Sequence, residues 1–322
     1  MNSDSYDVIV VGAGPAGLTA GIYLARAKMR TLILNEGTVG GQTVLTHEIA
    51  NYPGIESISG YQLATVMKNQ AKKFGCTIRA NISVTRLDLA GDIKSVEVNG
   101  RERFTAPAVI LATGGRSRTL GVPGEEKFKG KGISYCATCD GDFFQDKDII
   151  VVGGGNSALE EAVSLTKYAR SVTVVHQFDH FQAFAHAIED AKRNPKISFV
   201  MESTIAEFSG TDALEMVKIK NLVTGETTDR KIDGVFVFIG YVPNTEKLDG
   251  ILDLNKAGEI MVSPLLDTSL PGVYAAGDSI AKRYRQITTA VADGTVAALN
   301  AMEYLRKNAV PQPTEELVET ES

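Results

Sequence analysis

Cys136-Ala137-Thr138-Cys139-Asp140 places two thiols two residues apart, a spacing at which a pair held at a helix start closes and reopens a disulfide. The chemistry this predicts is a reversible two-electron redox centre. A zinc site would need four ligands, and the only other cysteine is Cys76, with no second pair to complete a tetrahedron. No metal is expected. A structural disulfide fits poorly with three cysteines in 322 residues, the usage of a reducing compartment.

The elements that must position this pair are legible on either side of it. A β-run at 6–11 passes into Gly12-Ala13-Gly14-Pro15-Ala16-Gly17 and then into a helix-like stretch at 18–27. The first glycine permits the tight turn and the second lets backbone approach a pyrophosphate. The third lets helix and strand pack closely, with the helix N-terminus toward the phosphates. A second β-run at 31–34 ends at Glu36, where a carboxylate can accept a hydrogen bond from an adenosine ribose. The grammar repeats at 148–152, Gly153-Gly154-Gly155-Asn156-Ser157-Ala158, 159–169 and 172–175. Two dinucleotide folds with a dithiol before the second suggest a flavoprotein that exchanges electrons with a disulfide.

The bulk properties set outer limits. The length exceeds one ordinary core, so two domains are expected. The composition, 43% hydrophobic and 22% charged, is that of a globular protein, and no apolar run approaches the roughly 20 residues needed to span a bilayer. Residues 1–7 are polar and acidic, unlike a signal peptide, so a cytoplasmic location is predicted. A formal net charge of -6 gives no general attraction for nucleic acid. Residues 311–322 carry four glutamates and two prolines and are predicted to form a flexible acidic tail.

Taken in order, GAGPAG at 12–17, GGQ at 40–42, ATG at 112–114, CATCD at 136–140, GGGNSALEEA at 153–162, GYVPNT at 240–245, AAGD at 275–278 and YRQ at 284–286 resemble the low-molecular-weight thioredoxin reductase family. The resemblance covers about residues 7–305. It implies an α/β fold of two Rossmann-like dinucleotide-binding domains, the second inserted into the first: an FAD domain at 1–116 plus 248–310, and a pyridine-nucleotide-like domain at 117–247 carrying the dithiol. The FAD is implied to lie along residues 12–17, Glu36, Gly41, Gln42, Asn51, Thr113, Gly277, Asp278, Arg285 and Gln286. Cys139 is implied to face the flavin, Cys136 to attack the partner's disulfide, and Asp140 to carry the proton, with helix capping as the alternative for Asp140. A homodimer and a thioredoxin-like partner are also implied.

One segment departs from the family pattern. NADPH-dependent members carry a histidine, two arginines and a third arginine slightly later, which clamp the 2'-phosphate. This chain reads His176-Gln177-Phe178-Asp179-His180-Phe181-Gln182-Ala183. Each charge-assisted bond to a phosphate contributes roughly 1.5–3 kcal/mol, so losing three removes any useful preference for NADPH. The branch of the family without the clamp includes members reduced by ferredoxin, and ferredoxin is the donor expected here. NADH stays open through Asp179, and a second FAD stays open because Phe178, His180, Phe181 and Phe184 could stack on a planar ring. Gly153, Gly155, Asn156, Ser157, His176 and Phe178 would line that second site, unless the phenylalanines are core residues at near-helical spacing. His176, His180 and His186 are expected at a surface or interface. Lys127, Lys129 and Lys131, with Lys282, Arg283 and Arg285, are candidate docking cations for an acidic donor. A flavoprotein that only senses redox state is the non-enzymatic alternative.

Overall fold

The computed structural model of the chain describes residues 4–46 and 49–308. Its contacts divide it into two compact units: Met1–Thr43, Ala64–Gly114 and Pro243–Ser322 form the first, and Val44–Leu63 with Gly115–Val242 the second.

In the first unit, β1 (Val8–Val11) is a run of β-branched residues buried on both faces, as the centre of a parallel sheet requires. It leads through the glycine turn into α1 (Pro15–Arg26), whose proline sits in the first turn, where its missing N–H costs nothing. The chain returns as β2 (Thr31–Asn35) and leaves for the second unit over Val44–Leu63, a departure from the continuous 1–116 segment expected. It re-enters within the helix Gly60–Lys73 and continues through β3 (Thr77–Ala80) to the centre as β4 (Ala108–Leu111).

After Gly114 the chain enters the second unit through β5 (Gly115–Ser117). There β6 (Ile133–Ser134) runs into the short helix α2 (Ala137–Asp140) that carries the dithiol. Next come β7 (Asp148–Val152), α3 (Asn156–Leu165), β8 (Ser171–Val175), α4 (Ala185–Arg193), β9 (Ile197–Val200) and β10 (Gly234–Val237). The sheet order is β6-β10-β7-β8-β9, all parallel. A core of Ile149, Val151, Leu159, Leu165, Val172 and Val174 lies under its helices. The chain leaves through β11 (Tyr241–Pro243), which pairs with β5 in a two-stranded sheet. That pairing explains why the division falls at Gly114/Gly115 and Val242/Pro243, a few residues before the positions expected from sequence.

Back in the first unit, β12 (Val273–Ala275) completes the parallel order β12-β4-β1-β2-β3, and α5 (Ile287–Asn308) packs on α1. Gly294 of α5 lies against the Ala16 carbonyl. Residues 309–322, where an acidic tail was expected, lie outside the described residues. Among those described, no helix is long and apolar enough to cross a membrane.

Candidate active site and cofactor sites

Cys136 and Cys139 form a disulfide with their Cα atoms 5.3 Å apart. Cys136 is the N-cap of α2, with φ -147° and ψ 106°, and its Sγ accepts a hydrogen bond from the Cys139 N–H at 3.2 Å. Both cysteines are half-buried, whereas Thr138 between them is exposed. An amide aimed at Cys136 Sγ can stabilise negative charge on that sulfur.

Asp140 closes this helix. Its Oδ2 accepts a hydrogen bond from Ser134 Oγ at 2.5 Å, and its N–H donates to the Cys136 carbonyl at 3.2 Å. Burial pushes the carboxyl above the usual carboxylate range, Asp142 adds to the rise, and the Ser134 hydroxyl pulls it back. Asp140 makes no side-chain capping bond to the turn that follows. Sequence reading missed Ser134. Its signal was a hydroxyl two residues before the first cysteine, at the end of a short strand.

At the first glycine turn, Gly12 holds φ +107°, and a Cβ there would run into the Ala112 carbonyl. A Cβ on Gly17 would meet the Gly12 carbonyl, the close helix–strand approach expected of the third glycine. Gly14 differs: no atom beyond its chain neighbours lies within 4 Å of a Cβ there, and α1 starts from it with no side-chain cap. Asn35, also missed in sequence, steadies the turn, its Oδ1 accepting from Ala13 N–H at 2.9 Å. Gly40 N–H donates to the Ala13 carbonyl at 2.8 Å, bringing Gly41 against Gly14, and Gln42 follows, exposed, in the turn Gly41–Leu45.

Glu36 Oε1 accepts from Val84 N–H at 2.9 Å and pairs with Lys247 Nζ at 2.5 Å. Thr113 Oγ1 is buried and has no protein partner, an acceptor and donor awaiting a ligand. Gly277 and Asp278 form the turn Gly277–Ser279, with Gly277 against Ala16. Burial raises the Asp278 carboxyl, opposed by Lys282 and Arg285. Gln286 N–H bonds Thr289 Oγ1 at 3.1 Å at the start of α5. The structure thus brings residues 12–17, Gly41, Gln42, Thr113, Gly277 and Asp278 around one turn. Asn51 is exposed and belongs to the second compact unit.

The second glycine turn is covered by its own chain. Gln182 N–H bonds the Gly154 carbonyl at 2.8 Å, and Phe184 N–H bonds Asn156 Oδ1 at 2.7 Å. Gly153 N–H donates to the Val175 carbonyl at 3.0 Å, Gly155 bridges to Gln182, and Ser157 sits in the first turn of α3. Of the three histidines expected at a surface or interface, His180 and His186 are exposed and His176 is buried. Its ring lies on Gly154, where any Cβ would collide with it, stacks on Phe181 at 5.8 Å and bonds the His180 carbonyl through Nε2 at 3.1 Å. The aromatic residues 178–184 form an irregular segment, not a helix, with Phe178 stacked on His180 at 5.9 Å and Phe184 on His186 at 5.9 Å. His176 and His180 share a four-residue spacing, yet among the described residues no three His, Cys, Asp or Glu side chains gather as a metal site.

The expected docking cations are reduced in number. Lys282 Nζ pairs with Asp293 at 2.6 Å and lies 3.6 Å from Asp278, and Arg285 pairs with Glu259, so both charges are spent internally. Arg283 and Lys131 are exposed.

A sequence model of the pyridine nucleotide-disulphide oxidoreductase family matches residues 6–294. A thioredoxin reductase of Peptoclostridium acidaminophilum is 45% identical over 310 residues, covering 94% of this chain and 98% of that protein. The chain belongs to the thioredoxin reductase family. A 34.2 kDa protein in the rubredoxin operon of Clostridium pasteurianum is 44% identical over 299 residues, 93% of this chain and 97% of that one. The crystal structure of thioredoxin reductase from Streptococcus pyogenes superposes with a TM-score of 0.91 at 41% identity, covering 95% of this chain and all of that chain.

Thioredoxin reductases are FAD enzymes, and the first turn fits the group: the open cradle over Gly14, the uncapped start of α1 and the orphaned Thr113 hydroxyl are what its pyrophosphate and polar edges require. When bound, FAD supplies the electron pair that reduces the disulfide.

Proposed function

We propose that this thioredoxin reductase-type enzyme takes its electrons from a donor other than NADPH, a ferredoxin, and passes them through the Cys136/Cys139 dithiol to thioredoxin. The observation that carries this reading is at the second glycine turn. Residues 176–191, which follow its second strand, contain no lysine or arginine to meet a 2'-phosphate. The aromatic faces of that segment stack on its own histidines, which argues against a second flavin between them. A relative named as a protein in a rubredoxin operon is in keeping with a protein donor.

In the outward half-reaction, the Cys136 thiolate attacks one sulfur of the thioredoxin disulfide, forming a mixed disulfide and releasing one thioredoxin thiolate. The Cys139 thiolate then attacks Cys136 Sγ, releasing the second thiolate and restoring the Cys136–Cys139 disulfide. Asp140, raised by burial, delivers a proton to the departing sulfur and takes up another from solvent before the next turnover. Lys127, Lys129, Lys131 and Arg283 are the remaining cations for docking an acidic donor. The exposed Val66, Met261, Leu265 and Leu299 on the first unit support a homodimer built there, and three cysteines with a reducible dithiol suit the cytoplasm.

Anaerobic titration of the bound flavin with NADPH, NADH and reduced ferredoxin in turn, followed by thioredoxin disulfide, tests the reading. Bleaching by ferredoxin alone and then thiol release is the expected result. Rapid bleaching by NADPH or NADH would return the protein to nicotinamide dependence.

A further inference from the structure

Ser134 is buried at the end of β6, where the parallel ladder pairs it with Phe236, and it belongs to no cofactor or partner site described above. Its hydroxyl has three polar neighbours: Asp140 Oδ2 at 2.5 Å, the Cys136 carbonyl at 3.2 Å and the Cys136 N–H at 3.1 Å. We infer that Ser134 is a positioning residue for Asp140, giving its carboxyl group a hydrogen-bond partner in both protonation states without movement of any heavy atom.

A serine hydroxyl has one proton and two lone pairs. With Asp140 ionised, Ser134 donates its proton to Oδ2 and accepts the Cys136 N–H. The Cys136 carbonyl is not left bare, because it also accepts the Asp140 N–H at 3.2 Å. With Asp140 protonated, the direction reverses: Oδ2–H donates to Ser134 Oγ, whose second lone pair keeps the Cys136 N–H, and the serine proton turns to the Cys136 carbonyl. Every group keeps a partner in both states, so this half-buried acid can gain and lose a proton without leaving a polar group unpaired. The same hydroxyl ties the carboxylate to the backbone of Cys136, the residue that meets the partner's disulfide.

This inference rests on the reading of Asp140 as the proton carrier of the dithiol. The other titratable groups on elements packed against it are Asp142 and Tyr168 beside the following turn, and Glu160 and Glu161 on α3. Of these, Asp142 raises the Asp140 carboxyl.

The test uses the FAD-loaded enzyme, reduced to the dithiol with dithionite and mixed with oxidised thioredoxin over a range of pH. The rate falls as pH rises through the Asp140 limb. A hydrogen bond to an ionised group is about twice as strong as one to a neutral group, so Ser134→Ala penalises the carboxylate more and moves the limb up by roughly one pH unit. Ser134→Thr, which keeps the hydroxyl, leaves the limb in place, and Asp140→Asn removes it. Carboxyl infrared difference spectra give the same midpoint without turnover, and Ser134→Gly carries the test if the alanine variant does not fold. A limb lost in Asp140→Asn but unmoved in Ser134→Ala overturns the positioning role. A limb that survives in Asp140→Asn overturns the reading of Asp140 on which it rests.

Discussion

At the first glycine turn a Cβ on Gly14 would meet no atom beyond its chain neighbours within 4 Å, and a buried Thr113 hydroxyl lacks a partner. Both turns accept a backbone bond from later in the chain, Gly40 to Ala13 at the first and Gln182 to Gly154 at the second, but only the second also carries a histidine ring over it. There His176 lies flat on Gly154, Gln182 holds its carbonyl, and Phe184 occupies the Asn156 side chain. Strand, glycines and helix follow the same order at both places, so the difference arises from what comes after the second strand of each unit. In the first unit that strand ends in Asn35 and Glu36, whose side chains steady the turn and point at Lys247 and Val84. In the second it ends in a buried histidine and a run of aromatic residues. A phosphate cradle is therefore specified by its glycines as a shape and by the following segment as a binding site.

The largest expected effect comes from restoring charge to the covered turn. Gln177→Arg, Phe178→Arg and Gln182→Arg together would supply three charge-assisted bonds of roughly 1.5–3 kcal/mol each, enough for a gain of about 10³-fold or more in NADPH affinity. The expected outcome is flavin bleaching by NADPH in the triple variant and not in the parent, followed at the flavin absorbance band. If the triple variant remains inert, the backbone bonds of Gln182 and Phe184 close the turn by themselves, and the contrast between the two turns is steric before it is electrostatic.

The sequence reading reached the two Rossmann-like units and the dithiol because each is written in local terms. Val8 to Val11 and Ile149 to Val152 are continuous β-branched runs followed at once by glycines, and the cysteine spacing is short. The burial of His176 was not legible. It depends on the absence of a Cβ at Gly154, 22 residues earlier, and on the stacking of Phe181, neither of which leaves a periodic mark. Lys282 and Arg285 read as surface cations for a similar reason: Asp293 and Glu259, which neutralise them, are close only in the folded unit. Ser134 was missed because a single serine is common, and only the distance to Asp140 singles it out.

A smaller effect separates the corresponding second glycines of the two turns. Gly14 has φ -74° and Gly155 has φ -87°, both open to alanine. Gly14→Ala should leave the empty fold unchanged but place a methyl group where a pyrophosphate must approach, lowering FAD affinity by at least about tenfold. At Gly155 the added methyl meets only the Gln182 carbonyl, 4.0 Å away, so Gly155→Ala should change neither flavin content nor stability by more than about 0.5 kcal/mol. Flavin retained per protein and thermal midpoints check both. A loss of FAD in Gly155→Ala equal to that in Gly14→Ala would show that the second turn holds a flavin after all.

The smallest expected effect is one of pH, and it falls on the second unit. Burial holds the His176 imidazole below its ordinary value, so the folded chain resists a proton that the unfolded chain accepts. Above the unfolded value, near 6.5, both states are neutral and the residue adds no pH dependence. As pH falls through that value the unfolded chain is protonated first, and stability is lost until the folded imidazole takes up its own proton. The described part of the first unit contains no histidine, so this imidazole contribution falls on the second unit alone. Thermal melts of wild type and His176→Gln from about pH 7 to about pH 5 should therefore diverge, the variant losing less stability on acidification. Parallel curves would mean that the ring takes up its proton without leaving Gly154, and that the second turn is covered less firmly than its contacts imply.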